Sequence, residues 1–504
     1  MKYLNKYIKI VVVAALIVST VSCNDEFLNT KPETAISYDE AFESITNAES
    51  ALVGMYNNNS AYFFEGLYVP IIADLVGEDV LLDSKRNWGW FLSVYQLESL
   101  ANYRWVEDPW TNGYFLLYQA NQIIENADKV PDATDAQKGN LKGQAKVMRA
   151  HTMLKLVQMY GEAYSVNPSA PGILNANMVK EWDEEDIARS TVGDIYGQIL
   201  QDLEEAIPML KDYATEVEGL PLSERPRMYQ DSTAFFNVRS ANAVLARTYL
   251  DMHNWEKARD HAAIAKKDIQ LMGVEGLVSG FNYPNSETLY SIKYTADDNG
   301  IYGSIPSFYF PVSGYSSMRA DTSFVDTYND FDVRKNWFPH GRDLMIRWDG
   351  DEEDSPLDAD NYVVLKFQSI NGQTGYAERI SMRASEMYLI EAECEAELGN
   401  YSEAQNLLHA IQKRAFPGAI KSVKTGQELI DEILLERRKE LVGEGFRWND
   451  IKRRSLPFKR NGHHWAKWDF QFGDEDYYRL TFPIPQSEID NNSALTEADQ
   501  NPGY

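Results

Sequence analysis

Apolar residues recur along most of the chain at the three- and four-residue steps of a helix. Ala48, Leu52 and Met55 share one face, as do Leu117, Ala120, Ile124 and Ala127, and as do Ile195, Ile199, Leu203, Ala206 and Leu210. Thr191 followed by Asp194 has the form of a capping box and predicts where the last of these helices starts. Thr425 with Glu428 repeats the device ahead of Ile430, Ile433, Leu434 and Leu441. Two stretches, 240–266 (SANAVLARTYLDMHNWEKARDHAAIAK) and 386–412 (EMYLIEAECEAELGNYSEAQNLLHAIQ), align without gaps, so that Ala246 meets Ala392, Trp255 meets Tyr401 and Ala258 meets Ala404. Small residues where paired helices approach, with an aromatic in the turn, form the pattern of a tetratricopeptide-like helix pair. In the second copy Gly399 is expected to end one helix and Ser402 with Gln405 to cap the next. Residues 149–160, closed by Gly161, read as a further first helix. The copies are irregularly spaced, so the pattern predicts a helical scaffold over roughly 38–272 and 380–455 with long insertions.

Residues 57–115 and 280–372 read as those loop-rich insertions. The first holds Tyr62, Phe63, Phe64, Trp88, Trp90, Tyr95, Tyr103, Trp105, Trp110 and Tyr114 among turn-forming residues; the second is rich in Gly, Ser, Asn, Asp and Tyr, with a strand predicted at 289–294. Irregular segments of this length are commonly functional, and their aromatic content argues against disorder.

The amino terminus changes the picture. Lys2, Lys6 and Lys9 precede a nearly unbroken apolar run over 8–18, then Ser19, Thr20 and Ser22 lead to Cys23. This is the form of a signal peptide over 1–22, too short and wrongly flanked for a spanning helix. A cysteine after small residues resembles a lipobox, in which the thiol is diacylated and becomes the first residue after cleavage; Thr20 stands where lipoboxes prefer Leu. Two acyl chains provide stable anchoring where one does not. Asp25 and Glu26, close behind, resemble a surface-export signal. With Cys23 lipidated only Cys394 remains, in an Ala-rich helical stretch, and it reads as a small core residue.

Composition then narrows the partners. The 504 residues carry 76 acidic against 48 basic side chains, a formal charge of −28, which repels phosphate backbones and argues against nucleic acid. Anionic polysaccharides are disfavoured for the same reason unless a local basic pocket accepts them; neutral sugars or peptides fit more easily. Thirty Tyr, 21 Phe and 11 Trp are too many for the core alone, and Tyr and Trp at a surface suit binding.

Several stretches together resemble one family. CNDEFLNTKPETAIS from Cys23, RAHTMLKLVQMYG at 149–161, MRASEMYLIEAECEAELGN at 382–400, ERRKELVGEGFRWNDIKR at 436–453, FPIPQSEIDNN at 482–492 and the terminal QNPGY at 500–504 are similar to SusD/RagB-like nutrient-uptake lipoproteins, in the order that family shows. The departures are Thr20 and a slightly longer run between Asn492 and QNPGY. The resemblance implies an all-α fold of tetratricopeptide-like helix pairs with a loop-rich subdomain containing a few short strands, forming a single domain over 23–504. It also implies oligosaccharide binding at the cell surface, outer-membrane anchorage, and a SusC-like TonB-dependent transporter as partner. No catalysis, cofactor or metal is implied. Arg437, Arg438, Glu440, Glu444 and Arg447 read as a structural ion network between packed helices.

A sugar ring offers a face of C–H groups and a belt of hydroxyls, so its site needs flat aromatics beside planar polar groups. Residues 83–95, DSKRNWGWFLSVY, meet that need: Trp88 and Trp90 flank Gly89, with Arg86 and Asn87 as donors beside them. In the family this loop often contributes to the site, as does the segment after the strand at 289–294, where Tyr302, Phe308, Tyr309 and Tyr315 stand and Trp337 follows. Asp74 is a candidate hydroxyl acceptor. At least two of Trp88, Trp90, Tyr302 and Tyr309 are expected to face solvent near one another. Each well-placed ring contributes about 1 kcal/mol beyond area burial, so an open platform binds in roughly the micromolar to millimolar range.

Three rival readings are weaker. A surface glycosidase needs an isolated carboxylate pair, and none stands out among 76 acids; no nucleophile elbow, phosphate loop or zinc helix occurs. His463 and His464 lie in a polar, aromatic loop without ligand spacing. A peptide-binding module remains open, because tetratricopeptide-like repeats cradle peptides and some members of the resembled family serve peptide uptake. The run Asp351, Glu352, Glu353, Asp354 has oxygen ligands for calcium but not the spacing of a calcium hand.

Overall fold

The structure is a computed structural model and describes residues 40–504 apart from 179–185, 227–228, 230–232, 312 and 342–361. The segment 1–22, Cys23 and the acidic run 351–354 lie outside the described residues.

Helices dominate. In chain order the longer ones are α1 (Ile45–Asn59), α2 (Tyr68–Leu75), the short α3 (Leu92–Gln96), α4 (Arg104–Asn126), α5 (Asp135–Tyr160), α6 (Val192–Glu218), α7 (Val238–Asp251), α8 (Trp255–Lys266), α9 (Ala384–Glu397), α10 (Tyr401–Ala415), α11 (Gly426–Leu441) and α12 (Arg447–Arg453). Each packs on its neighbour from α4 through α10, and α11 closes over α9 and α10. The two similar stretches are the hairpins α7–α8 and α9–α10, stacked through α8 against α9. This is the all-α, tetratricopeptide-like arrangement the sequence predicts.

Local chemistry explains the joints. The Thr191–Asp194 box forms as read, with the Thr191 hydroxyl accepting from the Asp194 amide at 3.1 Å. Gly113 lets α4 close on α5, where a Cβ would stand 2.8 Å from Leu156. Gly399, at φ +80°, ends α9 in the left-handed region that glycine tolerates. Two expected caps differ. The residue before α10 is Asn400 without a side-chain cap bond, and Gln405 instead donates to the Lys424 carbonyl at 2.8 Å. Thr425 does precede α11, but Gly426 at φ +54° turns the chain and the hydroxyl makes no cap bond.

The strands are short. β1 (Val80–Leu82), β5 (Met318–Ala320) and β6 (Tyr362–Val363) form a three-stranded antiparallel sheet, with Val80 opposite Ala320 and Arg319 opposite Val363. β2 (Pro171–Leu174) pairs with β3 (Arg189–Thr191), and β8 (Phe458–Lys459) with β9 (Asp469–Phe470). β4 (Thr288–Ile292), the strand expected at 289–294, pairs with β7 (Arg379–Arg383). The β1–β5 pairing ties the second insertion to the first and brings two aromatic loops side by side. The first insertion holds more helix than its turn-forming residues indicate. Trp105, Trp110 and Tyr114 lie buried on α4, which runs through Pro109 in its second turn without the bond that residue's N–H would have given the Trp105 carbonyl.

Acids and bases of the ERRKELVGEGFRW stretch are paired, as expected, but outward to other elements. Glu440 accepts from Arg383 at 2.6 Å, Arg334 at 2.8 Å and Arg414 at 2.5 Å; Glu444 accepts from Arg383 at 2.7 Å and Lys366 at 2.6 Å. Arg437 meets Asp450 at 2.8 Å, Arg438 meets Asp79 and Arg447 meets Glu78. Burial alone would push Glu440 up, yet its three guanidinium partners hold it well below the usual carboxylate range. The chain end returns to α5, where the Phe482 amide donates to Met159 and the Asn501 side chain to Tyr160. Cys394 is a buried free thiol in the core, as read.

Candidate functional site

The loop after β1 is folded by its own polar groups. Asp83 accepts from the amides of Lys85 and Arg86 at 2.9 and 3.1 Å, and is anchored to Arg319 of β5 at 3.3 Å. Asn87 donates to the Asp83 and Ser84 carbonyls and accepts from the Gly89 amide at 2.8 Å, while the Trp90 amide closes the turn on the Asn87 carbonyl. This wiring forces left-handed backbone at Trp88 (φ +53°) and Gly89 (φ +78°). The turn sends its two tryptophans different ways. Trp88 is 76% exposed, whereas Trp90 is half-buried.

Trp90 joins a continuous set of rings. Its neighbours are Trp105 at 5.4 Å, Phe308 and Tyr315 at 5.5 Å, and Tyr68 at 6.4 Å between centroids. Tyr315 leads on to Tyr302 at 5.8 Å, and Tyr302 is 55% exposed. Tyr62 and Phe63, half-buried and 3.8 Å apart, lie against Tyr68 at 5.7 and 5.9 Å. Arg104 at the start of α4 covers one side: its guanidinium lies 5.3 Å from Trp90 and 4.9 Å from Trp105 and donates to the Tyr68 hydroxyl at 2.8 Å. The Arg104 side chain is half exposed, so it offers a planar donor at the edge of the rings. Ile301, just before Tyr302, has φ +43°, so both exposed aromatics stand at or beside strained backbone. Chemically the surface provides apolar faces at several angles with a cation at the rim, and no reactive group.

Comparison with known proteins agrees with the fold. The SusD family profile matches residues 341–504, and a second profile, described as starch-binding associating with outer membrane, matches residues 26–250. The chain belongs to the SusD family. A SusD-like protein of Formosa agariphila is 24% identical, with 98% of this chain and 99% of that protein covered. Among solved structures, a SusD superfamily protein of Bacteroides thetaiotaomicron matches with TM-score 0.77 and 25% identity over 91% of this chain and 100% of the other. A SusD-like carbohydrate-binding protein of Bacteroides vulgatus matches with TM-score 0.75 and 24% identity over 91% and 98%. As a SusD-family member this is a glycan-binding protein associated with the outer membrane. Among the described residues no helix is long and apolar enough to cross a membrane.

In this SusD-family chain the expected site residues divide. Trp88 and Tyr302 are exposed, and Trp90 is half-buried in the ring set that leads to Tyr302. Arg86 is half-buried with its backbone amide on Asp83, whereas both ends of the Asn87 side-chain amide are used inside the loop, so Asn87 is not a free donor group beside the tryptophans. Asp74, Tyr309 and Trp337 correct the expectation. All three are buried: Tyr309 donates to Asp74 at 3.2 Å and Trp337 donates to the Leu277 carbonyl at 2.6 Å. Burial pushes the Asp74 carboxyl up to about 8, against the pull of Lys366. These groups belong to the core, because α2 and the short helix Ile305–Tyr309 are buried at every position.

Four further residues border this surface without having been candidate site residues in the sequence. Arg104, Tyr62 and Phe63 carry no motif, although the aromatic density around 62–64 was a visible signal. Trp465, 38% exposed, donates to the Leu82 carbonyl at the base of the Trp88 loop. Its stretch reads as a histidine loop, yet His464 is buried between the Tyr95 hydroxyl at 2.8 Å and the Glu78 carbonyl at 3.0 Å. Among the described residues no group of three or more metal-ligating side chains gathers.

Proposed function

We propose that the chain is a lipid-anchored surface lipoprotein that captures an oligosaccharide on the face formed by Trp88, Trp90, Tyr302, Tyr315 and Arg104, and passes it to a SusC-like TonB-dependent transporter. The observation that carries this reading is the run of rings from half-buried Trp90 through Tyr315 to exposed Tyr302, on a loop pair that also presents Trp88. Aromatics partly embedded in the core lose little freedom on binding, which suits stacking on a sugar. The carbohydrate-binding description of the B. vulgatus neighbour supports the same ligand class. Tethering beside a transporter raises local concentration, so an open face of modest affinity is adequate for capture. Anchorage through Cys23 and outward display follow from the signal read at 1–26.

Native-gel retardation by a panel of neutral polysaccharides, run beside a peptide panel and a reducing-end assay, tests the proposal. Retardation by at least one neutral glycan without new reducing ends is expected. Peptide binding alone, or release of reducing sugar, overturns it.

A further inference from the structure

A cleft of about 400 Å³ lies in a different part of the molecule, between the end of α5, the β2–β3 hairpin, α12 and the returning carboxyl-terminal tail. That volume falls within the range of about 300–1,000 Å³ common to small-molecule sites. Its walls are mainly apolar and aromatic. Phe472, 48% exposed, stands edge-on to Tyr477 at 5.1 Å, and Tyr478 lies beside them with no hydrogen bond from its hydroxyl to another described residue.

The cleft's charges are unusual for this protein. Buried arginines and lysines elsewhere mostly meet carboxylates, as Arg383, Arg334, Arg453 and Lys366 do. Lys452 and Arg189, which line the cleft, do not. Lys452 is 4% exposed, and its Nζ donates only to the carbonyls of Gln158 at 2.7 Å and Gly161 at 2.8 Å. Arg189 donates to the carbonyls of Gly172, Pro171 and Asp499 and to the Asn501 side chain. Burial pushes Lys452 down to about 7 against the pull of Glu162 and Asp251, and Arg189 to about 10 against Tyr114 and Asp499, with no carboxylate in ion-pair contact with either. The one carboxylate in the lining is Glu162, half-buried and outside ion-pair contact with both. A guanidinium and a partly charged ammonium, both without an ion-pair partner and behind aromatic walls, make this cleft more receptive to an anion than the rest of a chain of formal charge −28.

We propose that this cleft is a second ligand site, built for a carboxylate carried on a six-membered ring, with the carboxylate toward Lys452 and Arg189 and the ring between Phe472, Tyr477 and Tyr478. A hexuronic acid is the form of that chemistry a glycan-capturing protein meets, and that choice alone rests on the proposed function; an aromatic acid is the other source. The cleft shares no lining residue with the Trp88 face, so the two sites fail or stand separately.

Calorimetric titration of the full chain with galacturonate, benzoate and galactose tests it. Galacturonate is expected to bind saturably and to weaken with added salt, while galactose does not bind. Benzoate binding without galacturonate binding keeps the carboxylate assignment and names aromatic acids as the source. Lys452→Met removes two carbonyl contacts as well as a charge and can unfold the chain, so Glu162→Gln is the deciding variant. Measured at about pH 5.5, where Lys452 is charged with or without Glu162 beside it, loss of that carboxylate's repulsion should tighten galacturonate, or benzoate if that is the ligand, by about threefold, and Tyr478→Ala should weaken it at least about fivefold. Trp88→Ala should leave it unchanged. Equal binding of galactose and galacturonate, no binding of either acid, or indifference to both cleft variants overturns the proposal.

Discussion

Trp88 and Trp90 are two residues apart and serve different ends, because Asn87 and Gly89 turn the chain between them. Trp88 touches solvent over most of its surface, so Trp88→Ala should cost glycan affinity and not stability: about 1 kcal/mol, or roughly fivefold in Kd, with an unchanged melting temperature by circular dichroism. Asp74 yields the opposite kind of prediction. Its carboxyl rises from 3.8 in the unfolded chain to about 8 in the fold, so the native state holds the extra proton between those values. Stability therefore falls as pH rises through that window. Asp74→Asn cannot ionise, so its melting temperature relative to the natural protein should climb from pH 5 to pH 8; a constant difference contradicts the assignment. Neither role was readable from the residues alone. Local composition counts aromatics and acids but does not orient them, and Tyr309, Trp337 and Asp74 look in sequence as Trp88 and Tyr302 do.

At the scale of elements the sequence carried far more. Helices α6 to α10 were legible because their signals are local: the apolar period, the Thr191 box, and Gly399 in the αL position that stops α9. Gly399→Ala meets no neighbouring atom within 4 Å, so its cost is backbone strain alone, about 1 kcal/mol by urea denaturation. The signals that misled were those a neighbour overrode, as Gly426 does for Thr425, and those a helix hid, as α4 does around Pro109. The ion network was legible in its members but not its partners, since Arg334, Arg383 and Arg414 lie far along the chain from Glu440. Glu440→Ala removes one carboxylate from each of three buried guanidinium groups, which keep Glu436, Glu444 and Glu287 as partners, and should destabilise by about 3 kcal/mol in the same assay.

Across the whole molecule, the helix pairs fix a rigid frame from which the two insertions meet through the β1–β5 pairing. That meeting joins residues more than two hundred positions apart, and no local pattern announces it. Anchorage is a separate property of the amino terminus. Cys23→Ala should shift the protein from the membrane fraction to the soluble fraction on cell fractionation, with glycan binding intact. The central claim is that the joined loops are the glycan surface. Its most direct test is calorimetry of the natural protein, the Trp88→Ala/Tyr302→Ala double variant and a Trp337→Phe control against the glycan that retards it best. The account predicts at least about a tenfold loss for the double variant and an unaltered Kd for the control; full affinity without Trp88 and Tyr302 would contradict it.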